Sequence, residues 1–276
     1  MPAPRTVLLT GAAGGVGTLM RELLPSYGYG GLRLLDLQPV EDVRESETVY
    51  TADLGDPADT DAVRKAVEGV DAIVHLAGIS LESTFDKILR ANIEGTYRLY
   101  EAAREAGVRR VVFASSNHAV GFTPAPGDGE RPIPVDTPHR PDTFYGLSKS
   151  FGEDLAQFYW DKHGIETVSV RIGSLFPVPK SVRMLSIWLS PQDGARLLHA
   201  ALTAEDVGHT VVYGSSANTR LWWDLSSARA LRYEPQDDSE PYAAALLAEQ
   251  GEPAPGSPDA TWLGGTFCTD PPIWPH

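Results

Sequence analysis

Tyr145 and Lys149, in the run Tyr145-Gly-Leu-Ser-Lys149, stand four residues apart. That is about one helical turn, so both side chains share one face of a helix. There the ammonium favours the phenolate and makes Tyr145 a usable general base. Such a pair occurs by chance in many helices, and a lone glycine triplet can be only a turn. Here the pair lies downstream of a glycine-rich run, Thr10-Gly11-Ala-Ala-Gly14-Gly-Val-Gly17-Thr18. The order of the two motifs points to redox chemistry on a bound dinucleotide.

The glycine run has the surroundings that a dinucleotide site requires. Arg5 to Thr10 is a short apolar run suited to a buried parallel strand, and Val16, Leu19, Met20, Leu23 and Leu24 follow with helical spacing. Gly11 permits the tight turn, Gly14 lets the backbone approach a pyrophosphate, and Gly17 allows the helix to pack closely on the sheet. The helix N-terminus then faces the phosphates. A second strand, Leu32 to Asp36, ends in a carboxylate nineteen residues after Gly17, where a ribose-binding acid is expected. Asp36 would repel a 2′-phosphate, and Leu37, Gln38 and Pro39 offer no Arg to accept one, so NAD is expected over NADP. The other reading of Asp36 is a residue that begins a turn before Pro39.

Further strands are expected at Glu47–Ala52, Val70–Gly78, Arg110–Ser116 and Thr167–Gly173, alternating with helices as in a right-handed parallel sheet. Asp53 either touches the adenine or caps a helix or turn near Asp56-Pro57. The small residues that end the fourth strand let the backbone lie against a cofactor. His75 reads as a core or supporting residue rather than a catalyst. One helix is expected from about Thr84 to Ala106, with Asn92 inside it, and another from about Thr143 to His163, carrying Tyr145 and Lys149. Ligands of open parallel sheets gather at the carboxyl ends of strands, so Ser115, Ser116, Asn117 and His118 lie where substrate should sit. Residues 121 to 142 hold six prolines and three glycines without periodicity, and border the site. Helical stretches are expected near Pro191–Ala204 and Tyr242–Glu249, with a short strand at Thr210–Tyr213 between them. From Glu234 the chain is rich in proline and acids and ends in Trp274-Pro-His276, a tail that fits a neighbouring subunit as well as its own.

Composition agrees with one compact enzyme. The 276 residues can bury a substantial core, and 42% are hydrophobic. The formal net charge of −14 speaks against nucleic acid as a partner. A single cysteine, Cys268, cannot form an intrachain disulfide, and neither a signal peptide nor a bilayer-spanning run is evident. The expected location is the cytoplasm. No metal site is expected.

These residues resemble the short-chain dehydrogenase/reductase superfamily of the extended type over roughly the first 180 residues, the extent of the Gly11–Gly17, Asp36, Asp53-Leu54, Leu76-Ala-Gly78, Ser115-Ser116, Tyr145/Lys149 and Arg171-Ile-Gly173 motifs. Within it the chain is similar to bacterial uronate dehydrogenases, through His75-Leu-Ala-Gly-Ile-Ser80, Phe113-Ala-Ser-Ser-Asn-His118, Arg171-Ile-Gly-Ser174, Arg183-Met-Leu-Ser186 and Trp222-Trp223-Asp224, to about residue 235. The resemblance implies an α/β fold, a doubly wound parallel (Rossmann) sheet over residues 1–173 with a small C-terminal substrate-binding lobe over 174–276. It implies NAD-dependent oxidation of the anomeric hydroxyl of D-glucuronate or D-galacturonate, giving an aldarolactone. Tyr145, Lys149 and Ser116 would be catalytic. Gly11, Gly14, Val16, Gly17, Asp36, Asp53, Leu54, Leu76, Ala77, Gly78, Asn92, Tyr145, Lys149 and Ile172 would contact the cofactor. Ser80, Ser116, Asn117, His118 and Tyr145 would surround the sugar, with Ser174 and Arg183 at its carboxylate. A guanidinium grips a carboxylate with two parallel hydrogen bonds. Trp222 and Trp223 read as core or subunit-contact residues, and the enzyme as a homo-oligomer acting on a small anionic sugar acid. Two other functions share these features: a nucleotide-sugar epimerase or dehydratase, and a dinucleotide-binding sensor without catalysis.

Overall fold

The computed structural model describes residues 6–29, 31–127 and 129–273. In chain order its elements are β1 (Thr6–Thr10), α1 (Gly15–Leu23), β2 (Gly31–Asp36), β3 (Thr48–Thr51), α2 (Thr60–Val67), β4 (Ala72–His75), α3 (Phe85–Ile88) and α4 (Gly95–Ala106). They continue with β5 (Arg110–Ser116), α5 (Phe144–His163), β6 (Glu166–Ile172), β7 (Ser174–Leu175), β8 (Trp188–Leu189) and α6 (Pro191–Thr203). β9 (His209–Gly214), α7 (Ser226–Ala230), α8 (Ala243–Gln250) and α9 (Pro258–Thr261) complete the set.

Seven strands form one sheet in the order β3-β2-β1-β4-β5-β6-β9, every neighbouring pair parallel. The apolar runs of β1, β4 and β5 make sense there, because a strand covered by helices on both faces needs no polar alternation. One face packs α1 and α6 through Leu9, Met20, Leu34, Val74, Val170 and Leu197. The other packs α2, α4 and α5 through Leu8, Val63, Ile73, Leu99, Val111 and Tyr159. The chain leaves β1 toward β2 on one side and returns through β4 on the other. The two neighbours therefore diverge at their carboxyl ends and open a crevice between their loops, the usual ligand position in such sheets.

Two expectations are corrected. A boundary at residue 173 does not divide the molecule, because α6 covers one face of the main sheet and β9 is its seventh strand. Parallel pairing demands a crossover, and α6 supplies it. The remainder of the later chain does gather separately, around Ile133, Ile187, Tyr213, Trp223, Leu225 and Leu263. Trp223 is a core residue of that cluster, stacked on Tyr213 at 4.8 Å. The helix expected over Thr84–Ala106 is interrupted by a π-helical turn, Leu89–Glu94, between α3 and α4. α2 fills the interval between β3 and β4, as the alternation of strands and helices implies. Arg5 and Trp274-Pro-His276 lie outside the described residues. Among the described residues no helix is long and apolar enough to cross a membrane.

Candidate active site

Gly11 ends β1 with φ +71°, and a Cβ there would stand 2.7 Å from the Ala77 amide nitrogen. The β1 and β4 loops thus approach more closely than any side chain allows. A Cβ on Gly17 would collide with the Gly11 carbonyl, so the third glycine seats α1 against the turn. Gly14 is the N-cap of α1 and offers no side chain to its first amides, which stay available to an anion. Asp36 closes β2 with its carboxylate fixed by two backbone amides, from Ala13 and Gln38, each at 2.9 Å. Those bonds leave acceptor capacity for a ribose.

These residues line one cleft of about 370 Å³ at the carboxyl ends of β1, β2 and β4. Gly11, Gly14, Val16, Gly17, Asp36, Asp53, Leu54, Leu76, Ala77, Gly78 and Ser80 all border it. Asp53 also shapes its own turn, accepting from the Gly55 amide at 2.8 Å. The cradle suits a dinucleotide: glycine backbones free of Cβ atoms for the pyrophosphate, an acid at the end of β2 for the ribose, and apolar walls. A hollow of about 580 Å³, lined by Tyr27, Arg196, His199 and Tyr233, lies by the C-terminus of α6, on the face of the sheet that α1 and α6 cover. None of the convergent catalytic groups reaches it.

Four expected cofactor residues, Asn92, Tyr145, Lys149 and Ile172, are not among the residues that line this cleft. Asn92 is buried behind the cleft, where its amide exchanges hydrogen bonds with Ile79 N and O at 2.8 and 2.9 Å and donates to Ser148 Oγ at 3.0 Å. It ties the β4 loop to α5, and the π turn supplies the extra residue that aims it there. Ile172 packs against the apolar core beneath the sheet end.

α5 starts where Thr143 caps it, accepting the Gly146 amide at 2.9 Å. Glu82 accepts the Tyr145 amide at 3.0 Å, and Ser148 Oγ donates to the Tyr145 carbonyl at 2.7 Å. The first turn of α5 is therefore pinned from three directions, and Tyr145 with it. Burial pushes the Tyr145 phenol up to about 12, and a hydrogen bond with Ser116 offsets part of that, while the Asp142 carboxylate adds to it. Lys149 is also buried, its Nζ 5.4 Å from the Tyr145 ring centre and 5.1 Å from that of Phe113, and burial brings it down to about 8. Both shifts disfavour charge: burial opposes the phenolate and the ammonium alike.

Below this pair, Glu153 on the next turns of α5 accepts from Arg171, from His139 and from Ser115. These bonds outweigh burial and hold its carboxyl down at about 2. The Ser115-Ser116 strand end is thereby fixed from behind. His75, whose ring nitrogens meet Thr10 Oγ1 at 2.8 Å and Thr96 Oγ1 at 3.1 Å, is a buried link between β1, β4 and α4, as expected.

The sugar-side residues come together through a segment that sequence reasoning left without a role. Residues 262–268 return across the site, and Leu263 O accepts from Asn117 Nδ2 at 3.1 Å and from Arg183 Nη2. The Leu263 side chain is fully buried in the later cluster. His118 packs edge-on to Phe267 at 4.6 Å and to Tyr145 at 5.8 Å. Its Nδ1 meets Asp142 Oδ2 at 2.7 Å. Ser174 begins β7, immediately beyond the β6 end that pairs with Ser116. Glu82, Asp142 and Phe267 were missed; only the position of Asp142 just before the α5 cap offered a signal.

A dinucleotide cradle opening toward a Ser, Tyr and Lys group at the end of β5 defines an oxidoreductase of the doubly wound class. The chain belongs to the NAD dependent epimerase/dehydratase family, whose model matches residues 7–186. It is similar to the uronate dehydrogenase of Pseudomonas syringae pv. tomato, 51% identical over 97% of this chain and 94% of that protein. It is also similar to a crystal structure of mutant uronate dehydrogenase from Agrobacterium tumefaciens complexed with NAD, 43% identical, with a TM-score of 0.90 over 98% of this chain and 99% of that one. A further relative is the NAD-dependent glucose-6-phosphate dehydrogenase of Haloferax volcanii, 39% identical over 90% of this chain and 97% of that protein.

Proposed function

We propose that this chain oxidises the anomeric hydroxyl of cyclic D-glucuronate or D-galacturonate with NAD and releases the aldarolactone. The observation that carries this reading is a chemical match beside the Ser116, Tyr145 and Lys149 group. Ser174 Oγ and Arg183 Nε, the two groups expected at a carboxylate, are buried polar atoms without a protein hydrogen-bond partner among the described residues. A carboxylate would satisfy both. Asp142 and Asp259 act on Arg183 from nearby, so the site offers little net positive charge. That suits a carboxylate monoanion better than a phosphate dianion, and the similarity to uronate dehydrogenases agrees.

Gly11, Gly14, Val16 and Gly17 would hold the pyrophosphate of NAD, Asp36 its adenosine ribose, Asp53 and Leu54 its adenine, and Leu76, Ala77 and Gly78 its nicotinamide end. Bound NAD supplies the hydride acceptor. Ser116 orients the anomeric hydroxyl, and Tyr145 Oη takes its proton as the bond to carbon loses hydride. Lys149 stabilises the phenolate and binds the nicotinamide ribose. Ser80, Asn117 and His118 bind the sugar hydroxyls. The Leu263 segment keeps water from the reacting carbon. A cytoplasmic location and a homo-oligomer belong to the same reading. The lone Cys268 supports the first, and the exposed Tyr97, Leu147 and Phe158 on α4 and α5 support the second.

NADH formation on glucuronate, galacturonate, glucose, glucose 6-phosphate and a UDP-sugar tests the proposal; preference for either of the last two overturns it. Arg183→Ala should then lower kcat/KM on uronate by at least roughly thirtyfold, since truncating one partner of a desolvated charge pair costs about 2 to 5 kcal/mol. Equal proportional losses on glucuronate and on glucose would remove Arg183 from the carboxylate.

A further inference from the structure

His118 is held on three sides. Its ring stands edge-on to Phe267 and Tyr145, with centres 4.6 and 5.8 Å away, and its Nδ1 lies 2.7 Å from Asp142 Oδ2. The Asp142 side chain is fully buried. Its other oxygen accepts from Thr143 Oγ1 at 3.0 Å, and Cys268 Sγ stands 4.0 Å from Oδ2.

The space for this carboxylate is made by glycines on three separate stretches of chain. Gly121 follows the short helical turn Asn117–Val120, Gly146 lies in the first turn of α5, and Gly264 lies in the returning C-terminal segment. A Cβ on Gly121 or Gly264 would collide with the Asp142 carboxylate, and one on Gly146 would strike the His118 carbonyl oxygen and come within 3.0 Å of the carboxylate. Gly264 N donates to Gly121 O at 2.9 Å, which closes the cradle. Three elements distant in sequence omit side chains at the one place where Asp142 must fit.

A buried carboxylate is tolerated when donors face it. A neutral imidazole has one N–H, so the contact assigns the proton to Nδ1 and leaves Nε2 as an acceptor. Among the described residues Nε2 has no hydrogen-bond partner, and the His118 side chain keeps 12% of its surface exposed. We propose that Asp142 is a positioning residue: from its glycine cradle it fixes the orientation and tautomer of His118, so that Nε2 is presented to a hydroxyl of the sugar. This rests on the proposed function only in naming the hydroxyl donor.

The test is nitrogen-15 NMR of the histidine ring with steady-state kinetics, on the full-length protein and on Asp142→Ala and Asp142→Asn. Asn keeps the size and one acceptor oxygen. The unmodified protein should show His118 protonated on Nδ1 at a pH where the ring is neutral. Asp142→Ala should mix the tautomers and raise the uronate KM about tenfold, the size of one lost hydrogen bond, with NADH affinity unchanged. Asp142→Asn should restore the Nδ1 tautomer and most of that KM. An Nε2-protonated His118 in the unmodified protein overturns the proposal, whether or not either variant folds. So does a uronate KM for Asp142→Ala within about twofold of normal, or an Asn variant as impaired as the Ala one. If the unmodified protein oxidises no uronate the functional reading fails, while the ring spectra still decide the role of Asp142.

Discussion

In the proposed reaction Tyr145 is the base, and its surroundings set the pH at which it can act. Burial is the main cause that drives the phenol to about 12, and a neighbouring lysine drawn down to about 8 shares the same dry space. Turnover should therefore rise with pH as the pair loses a proton. Tyr145→Phe should lower it by about a hundredfold to ten-thousandfold and abolish that rise, while NADH fluorescence titration shows binding intact. A variant that kept more than about a tenth of normal turnover would rule out Tyr145 as the base. Asp36 acts at the same scale. Two backbone amides hold its oxygens, and in the proposed binding mode it would accept from a ribose and repel a 2′-phosphate. Asp36→Ala should narrow the preference for NAD over NADP, measured as the ratio of kcat/KM values. Equal efficiency of the unmodified enzyme with both would sink the assignment.

Elements matter here mainly through the polar links that lock them together. His75 joins β4 to β1 and α4, and burial brings its imidazole down from 6.5 to about 3, with the Lys149 charge adding to the effect. The unfolded chain therefore binds a proton below about pH 6.5 that the folded chain refuses until about pH 3. Stability must fall as pH is lowered through that interval, by at most about 1.4 kcal/mol per pH unit from this group. Glu153, lowered from 4.5 to about 2, acts in the same direction but only below pH 4.5. Between pH 6.5 and 4.5 the two are separable. His75→Gln, whose amide can still bridge Thr10 and Thr96, should show a shallower fall in urea midpoint over that range. An unchanged slope would mean that another group carries the acid sensitivity.

At the scale of the whole molecule, the cofactor half and the sugar half are assembled differently. The main sheet and the dinucleotide cleft are complete by residue 214. The sugar side is closed by residues 262–268, which hold Asn117 and Arg183 through one carbonyl and surround Asp142 and His118. Deleting residues 258–276 should leave a folded protein that binds NADH, detected by fluorescence titration and a cooperative melt. It should lose uronate oxidation by about a hundredfold or more, as displaced substrate-orienting groups commonly cost. Retained turnover in the deleted protein would show that the segment is dispensable.

The sequence by itself determined the parts of this protein written in local code. Glycine spacing, apolar runs and a Tyr-Lys pair at one helical turn are constraints on neighbouring residues, and they led to the strands, their alternation with helices and a set of residues most of which line one cleft. Only the tertiary structure decided the rest. Asn92, on a π turn, braces the β4 loop against α5 through Ile79 and Ser148, a contact that no local pattern marks. β9 joined the main sheet because pairing between strands distant in sequence leaves no local trace. The Asp142 cradle is the clearest case. Gly121 and Gly264 have no pattern along the chain, since what relates them is one carboxylate that both must leave room for, and that relation exists only after folding brings two remote backbones to the same point.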